Sequence, residues 1–286
     1  MRSFAGGGLS PERVIGPGAA PTFSHDGRRL LTHVSEGGQK RVLSRLPDGS
    51  DPQVLFANDN LGMLLDVTAD PDTMGLVLWR TIGAAYICSV CEPHVFHLAT
   101  GATRFEIATI IAEDIAVSSD GSFLAYTYRF WCNGIAQGST TSASLCVAVT
   151  ANDTRTCLDG IDANASDFVP NRSILVFSAN LSGQREIWRA DVRPDGTLTN
   201  LTQLTRGPAG QPSRAPKVST DGNQVIFVRD LDPGPGDNPV LHVVRLDGDG
   251  LRSLEVSGTT PAWSGGGPAP QIGLGAHRLA LPLVVR

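Results

Sequence analysis

Short apolar runs alternate along this chain with polar, glycine-rich punctuation, and no run keeps a helical period for three turns. Alternation such as Glu186-Ile187-Trp188-Arg189-Ala190-Asp191-Val192 is that of a half-buried strand. One phrase recurs. An apolar residue is followed by one or two small polar residues, then Asp-Gly or a substitute, then a strand-like run. It reads Phe23-Ser24-His25-Asp26-Gly27, Val67-Thr68-Ala69-Asp70-Pro71, Val117-Ser118-Ser119-Asp120-Gly121 and Val218-Ser219-Thr220-Asp221-Gly222, with a weaker copy at Phe168-Val169-Pro170-Asn171-Arg172. A further copy begins at Trp263-Ser264-Gly265.

The leading apolar residues of these copies are 44, 50, 51, 50 and 45 residues apart. A period of about 40 to 50 residues, with several short strands in each unit, is the signature of a β-propeller. Asp-Gly suits the tight turn between two antiparallel strands, because Gly takes positive φ and Asp bonds its own following backbone. Each unit then offers a third strand: Arg41 to Leu46, Val95 to Ala99, Leu145 to Thr150, Glu186 to Ala190 or Val240 to Leu246. A second turn and a short outer strand follow, as in Gln53 to Phe56 and Thr202 to Leu204. The expected fold is all-β: a six-bladed β-propeller of four-stranded antiparallel blades.

The phrases Pro21-Thr22-Phe23-Ser24-His25-Asp26-Gly27 and Arg185-Glu186-Ile187-Trp188-Arg189-Ala190-Asp191 resemble the repeat of the TolB-like propeller family. Leu201-Thr202-Gln203-Leu204-Thr205 resembles its outer strand, and the likeness runs from residue 21 to about 264. The WD-repeat family fits less well, since no Trp-Asp pair closes the strands. The resemblance implies a six-bladed ring. It also implies, for TolB itself, an additional N-terminal domain for which this chain has no room.

The whole chain, 1–286, is expected to form one propeller domain. Its blades fall at about 21–60, 61–110, 111–160, 161–206, 207–257, and 258–286 completed by 11–18. The last unit lacks a clear outer turn, and Arg13-Val14-Ile15 is expected to supply its missing strand, pairing N- and C-terminal strands. Ring closure removes the open edges that favour aggregation.

Composition narrows the function. The net charge is −5, and Lys40 and Lys217 are the two lysines, so positive charge is nearly all Arg and forms no basic run. Nucleic-acid binding is not expected. No apolar run approaches the roughly 18 residues of a membrane span. Residues 1–20 lack the apolar core of an export signal. The chain is thus expected either in the cytoplasm or, if a signal was removed, in the periplasm or outside the cell.

The cysteines argue for the second. Cys88, Cys91, Cys132, Cys146 and Cys157 all lie in or beside loops, the pattern of an oxidising compartment. Cys146 and Cys157 flank a turn and would face each other across a hairpin, whereas Cys132 could instead reach Cys146. Buried thiols are the competing reading. Cys88, Cys91, His94 and His97 are Zn-type ligands, but His94 and His97 sit three apart on a probable strand and face opposite sides. Asp230, Asp232 and Asp237 could supply hard oxygens to Ca²⁺, but their loop lacks EF-hand spacing, and a solvated loop is the favoured reading. No cofactor is expected beyond such a Ca or Zn ion. Asn-x-Ser/Thr triplets begin at Asn152, Asn164, Asn171, Asn180 and Asn200.

No Gly-x-Ser-x-Gly elbow, phosphate loop or dinucleotide fingerprint is present, so no enzyme is expected. Three long loops, Thr81 to Pro93, Arg129 to Ser144 and Arg229 to Pro239, emerge at one face together with the links between blades. Long loops on a rigid scaffold carry function. The expected binding face comprises Tyr86, Arg129, Phe130, Trp131, Arg229 and Asp230, with Arg and Trp the usual interface anchors. Phe130 or Trp131 packing beneath its own loop is the structural alternative. The function expected is a non-catalytic, monomeric scaffold for a protein or peptide. The alternatives are a metal-dependent hydrolase or lyase in the central funnel, and a ligand-binding sensor piece of a larger receptor.

Overall fold

A computed structural model describes residues 2–5, 8–9, 19–24, 27–36, 39–58, 61–67, 75–82, 90–97, 102–106, 112–128, 143–231, 238–264 and 281–285. The first strands are β1 (Arg2–Ala5) and β2 (Gly8–Leu9). Next come β3 (Ala19–Phe23), β4 (Leu30–Glu36), β5 (Gln39–Arg45) and β6 (Gln53–Asn58), paired in that order as one antiparallel sheet. The same order recurs in β7 (Leu61–Val67), β8 (Gly75–Ile82), β9 (Val90–His97) and β10 (Ala102–Glu106). It recurs again in β11 (Ala112–Val117), β12 (Phe123–Tyr128), β13 (Ser144–Val149) and β14 (Thr154–Leu158). The next sheet is β15 (Ala165–Phe168), β16 (Ile174–Ala179), β17 (Glu186–Val192) and β18 (Leu198–Gln203). Then follow β19 (Ser213–Val218), β20 (Gln224–Asp230), β21 (Pro239–Arg245) and β22 (Arg252–Ser257). Finally β23 (Thr260–Ser264) and β24 (Leu281–Val285) pair with the N-terminal strands in the order β2-β1-β24-β23. The chain is an all-β propeller of four-stranded antiparallel blades, and the blades β3–β6, β11–β14, β15–β18 and β19–β22 are those whose side chains are described.

The last sheet places its N-terminal contribution differently from the sequence reading. Arg2 pairs with Val284 and Ser3 with Leu283, and β2 adds a further strand outside β1. Two short strands before residue 10 therefore stand where 11–18 was expected; residues 11–18 lie outside the described residues.

First strands of successive blades lie side by side, β11 against β15 and β15 against β19, so they form the hub and the fourth strands form the rim. The blade β15–β18 is sandwiched between two others, and this explains why its strands are so apolar. Leu175, Phe177 and Ala179 of β16 join a cluster with Phe123, Leu145, Val147 and Phe168 on one side. Val176 of the same strand joins Val218, Val225 and Phe227 on the other. Alternate residues thus serve alternate cores, and both faces are dry, as in a doubly covered sheet.

The repeated phrase is a turn with a fixed bonding pattern. Ser118 Oγ accepts the Phe123 amide at 2.9 Å and donates to Asp120 Oδ1 at 2.7 Å, and Asp120 Oδ1 also takes the Ser122 amide at 3.0 Å. Ser219 and Asp221 repeat this with Gln224 and Asn223 at 2.9 and 3.1 Å. Gly121 and Gly222 complete these turns at φ 72° and 70°, a region L side chains avoid. The fourth copy lacks Asp-Gly, and there Asn171 takes the positive φ, 57°.

Candidate functional site

Antiparallel order sends the first-to-second and third-to-fourth connections to one end of every blade. The second-to-third loops and the inter-blade links emerge at the other. That loop end is best described between the blades β15–β18 and β19–β22, where a buried polar cluster holds the link of residues 204–212.

Glu186 opens β17 with its side chain 3% exposed, and Arg229 near the end of β20 is 6% exposed. Arg229 Nη2 stands 3.7 Å from Glu186 Oε2. Glu186 Oε2 accepts from Thr205 Oγ1 at 2.5 Å and Ser213 Oγ at 3.0 Å. Its Oε1 accepts from the Gly207 amide at 2.6 Å and Gln184 Nε2 at 2.9 Å. Arg229 donates to Ser213 Oγ and lies 5.5 Å from the centre of the Phe227 ring. Burial pulls the Arg229 guanidinium below its ordinary value, against the raising effect of Glu186. A buried carboxylate is tolerable only when its acceptor sites are filled, and here four donors and a cation fill them.

The surrounding charges are also paired. Arg214 forks onto both oxygens of Asp230 at 2.8 and 2.9 Å, and Arg185 meets Asp162 at 2.5 Å. His242 stacks on Phe227 at 5.6 Å between ring centres, with Nδ1 3.1 Å from the Val240 carbonyl. Burial first, and then Arg229, depress the His242 pKa, while the Val240 contact raises it. Leu181 and Leu231, each just beyond a second strand, are exposed at 38% and 36%, in company with exposed Asn180, Ser182 and Arg206.

The chain is similar in fold to TolB. The TolB structure from Agrobacterium tumefaciens superposes with a TM-score of 0.59 at 19% identity, over 87% of this chain and 84% of that one. TolB from Acinetobacter baumannii gives 0.55 at 13%, over 85% of this chain, which spans about half of that protein's length (54%). An oligogalacturonate lyase in complex with manganese gives 0.56 at 16%, over 84% of this chain and 66% of that one. A structure of a nidogen/laminin complex gives 0.54 at 14%, over 82% and 81%. No protein-family model matches the chain, and no curated protein matches it in sequence. At these identities the likeness is one of fold.

Of the residues expected at the binding face, Arg229 and Asp230 are buried in the network above. Tyr86, Arg129, Phe130 and Trp131 lie outside the described residues, as do Asp232 and Asp237 of the acidic loop. Asp230 is occupied by Arg214. Among the described residues no three His, Cys, Asp or Glu side chains stand close enough to hold a metal ion. Cys146 and Cys157 are joined by a disulfide and are direct partners across β13 and β14. Cys88 and Cys132 lie outside the described residues, and Cys91 is described in its backbone alone. Sequence reasoning missed Glu186 as a keystone. Its signal was an acid opening a third strand next to buried Ile187, where burial demands partners.

Proposed function

We propose that the chain is a non-catalytic, monomeric scaffold of the TolB-like kind, a closed six-bladed propeller that binds a protein or peptide on its loop face. The observation that carries this reading is the division of labour at that face. Arg229–Glu186 ties two blades together, and Arg214–Asp230 and Arg185–Asp162 pair at the same end within single blades and their links. These pairs occupy the charges of this end, where the large apolar side chains Leu181 and Leu231 are exposed. Preformed surfaces with apolar anchors suit macromolecular binding, where rigid contacts avoid ordering costs. Ring closure is supported by the neighbour relations β3 to β7, β7 to β11, β19 to β23 and β23 to β3 among first strands. The fold likeness to TolB and to a propeller in the nidogen/laminin complex supports protein binding by analogy alone. The Cys146–Cys157 bridge supports a periplasmic or extracellular location, where disulfides persist.

The test is a cross-linking capture against extracts of the source organism, comparing wild type with Leu181→Ser/Leu231→Ser and with Phe130→Ala/Trp131→Ala. The expected result is one partner, captured by wild type and lost at least tenfold in a variant whose melting temperature is unchanged. Equal capture by well-folded variants of both kinds would remove the loop face from the reading.

A further inference from the structure

The outer strands β18 and β22 hold to their blades by buried side chains as well as by the backbone ladder. In β18 the side chain of Leu198 is buried, and in β22 those of Leu254 and Val256 are. These apolar anchors fix the strand beyond its backbone ladder. The outer strand β14 has no buried side chain: Thr154, Arg155 and Cys157 are exposed, and Thr156 and Leu158 half-buried. Arg155 forms its ion pair with Asp153 of its own hairpin turn, and a side-chain hydrogen bond with Tyr126 of β12 ties it into the blade. Thr156 Oγ1 reaches the neighbouring blade only through a 3.4 Å contact with the Asp195 carbonyl. Leu158 packs partly against the inter-blade core. What β14 has instead is a covalent tie. Cys157 is joined to Cys146, and Cys146 is fully buried in β13, a strand buried at every residue.

We propose that the Cys146–Cys157 disulfide is a redox-operated staple for this one rim strand, so that a dithiol reductant releases β14 while the remainder of the propeller stays folded. The bridge is asymmetric in access: Cys157 is on the exposed strand and Cys146 inside the blade. A reductant thiolate attacks Cys157 Sγ, the Sγ–Sγ bond breaks, and Cys146 leaves as a thiolate that takes a proton. The reductant's second thiol then displaces Cys157 as its own thiolate, which is protonated in turn. Two electrons have passed to the protein, two thiols stand where the bridge was, and the reductant is a disulfide. The buried Cys146 thiol is tolerated as a small apolar group. With the bridge open, β14 is left with its five-residue ladder, half-buried Leu158, the Arg155–Tyr126 hydrogen bond and the long Thr156 contact, and with no fully buried side chain. A strand with few buried contacts opens locally long before the domain does. Release makes β13 the rim, with its outward backbone groups unpaired, so the redox state of one bond changes the edge this blade presents. This inference is independent of any partner at the loop face.

Hydrogen exchange read by mass spectrometry tests it on the full chain, with and without dithiothreitol and without denaturant. Intact mass after alkylation reports whether the bridge has opened. The expected result is that reduction lowers protection of the peptide covering 151–160 at least tenfold. Peptides covering β18 and β22 should be unchanged. Cys146→Ala/Cys157→Ala should match the reduced protein and ignore the reductant. Unchanged protection at 151–160 with the bridge open would overturn the proposal, because the ladder alone would then hold β14. So would a bridge that resists reduction in the folded protein, or a loss of protection spread over every blade.

Discussion

The two ends of the blades β15–β18 and β19–β22 are built on opposite plans. At the turn end most bonds are made within a few residues, with single links between blades such as the Asn171 amide donating to Ser119 Oγ at 3.1 Å. Ser219 and Asp221 bond to Asn223 and Gln224, and nothing from another blade is required. At the loop end the decisive bonds span blades and long stretches of sequence. Glu186 collects Thr205, Gly207 and Ser213, which lie 19, 21 and 27 residues away. Local bonding makes the turn end repetitive, whereas the shared network makes the loop end a single unit in which one loss strands several partners. The first plan is free to repeat; the second is free to vary in what it presents.

The sharpest way to break this contrast is at Glu186. Replacing it with Ala leaves Arg229 buried and removes the acceptor of four donors, Thr205, Ser213, Gly207 and Gln184. Removing one partner of a buried pair costs about 3–5 kcal/mol. The double variant Glu186→Met/Arg229→Met should lose less than Glu186→Ala alone, since no charge is then left in the interior. Urea unfolding of the three proteins measures both quantities. A loss below about 1 kcal/mol for Glu186→Ala would mean that water replaces the carboxylate freely and that the loop end is not one unit.

The same contrast explains what the sequence disclosed. The turn phrase was legible because its chemistry lies within six residues, so its period alone marked out the blades and their Asp-Gly turns. Cys146 and Cys157 were legible for the same reason, being opposite each other across one hairpin. Glu186 was not legible, because its partners are brought in by the folding of two blades. Arg229 and Asp230 read as surface charges for want of Ser213, Glu186 and Arg214. The N-terminal partner of β24 was hard to read for a related reason. Arg2-Ser3-Phe4-Ala5 carries a weak strand signal, and β24 selects it by tertiary pairing, where propensity is a weak guide.

A medium effect separates the two ends through glycine. Gly222 sits in a turn at φ 70°, and a Cβ there would come within 3.0 Å of Val169 Cγ1 in the neighbouring blade. Gly210, in the link at the loop end, has φ 80° with nothing within 4 Å. Gly210→Ala should therefore cost about 1 kcal/mol from backbone strain alone, and Gly222→Ala about 2 kcal/mol or more from strain plus crowding. Equal melting shifts for the two would show that the turn end yields to accommodate the methyl group.

The smallest expected effect concerns His242, and it sharpens the comparison by asking whether the loop-end network is felt in solution. Burial and the nearby Arg229 guanidinium hold its folded pKa below the ordinary histidine value of 6.5, so the folded state favours the neutral ring. The unfolded chain then binds the proton more readily, and stability rises with pH wherever the unfolded state carries more protons. Stability from this group is complete above the unfolded pKa and is lost as pH falls from there through the folded pKa. Wild type should soften on acidification below about pH 6.5, and His242→Phe, which keeps a ring against Phe227, should not show that component. Melting temperatures of both proteins between about pH 8 and pH 5 decide it, a window that brackets the ordinary histidine range. If the two curves stay parallel, the ring is charged as easily inside as outside, and Arg229 is screened from it. If they diverge and Arg229→Met narrows the gap, the guanidinium that closes the inter-blade network is also what keeps the neighbouring imidazole neutral.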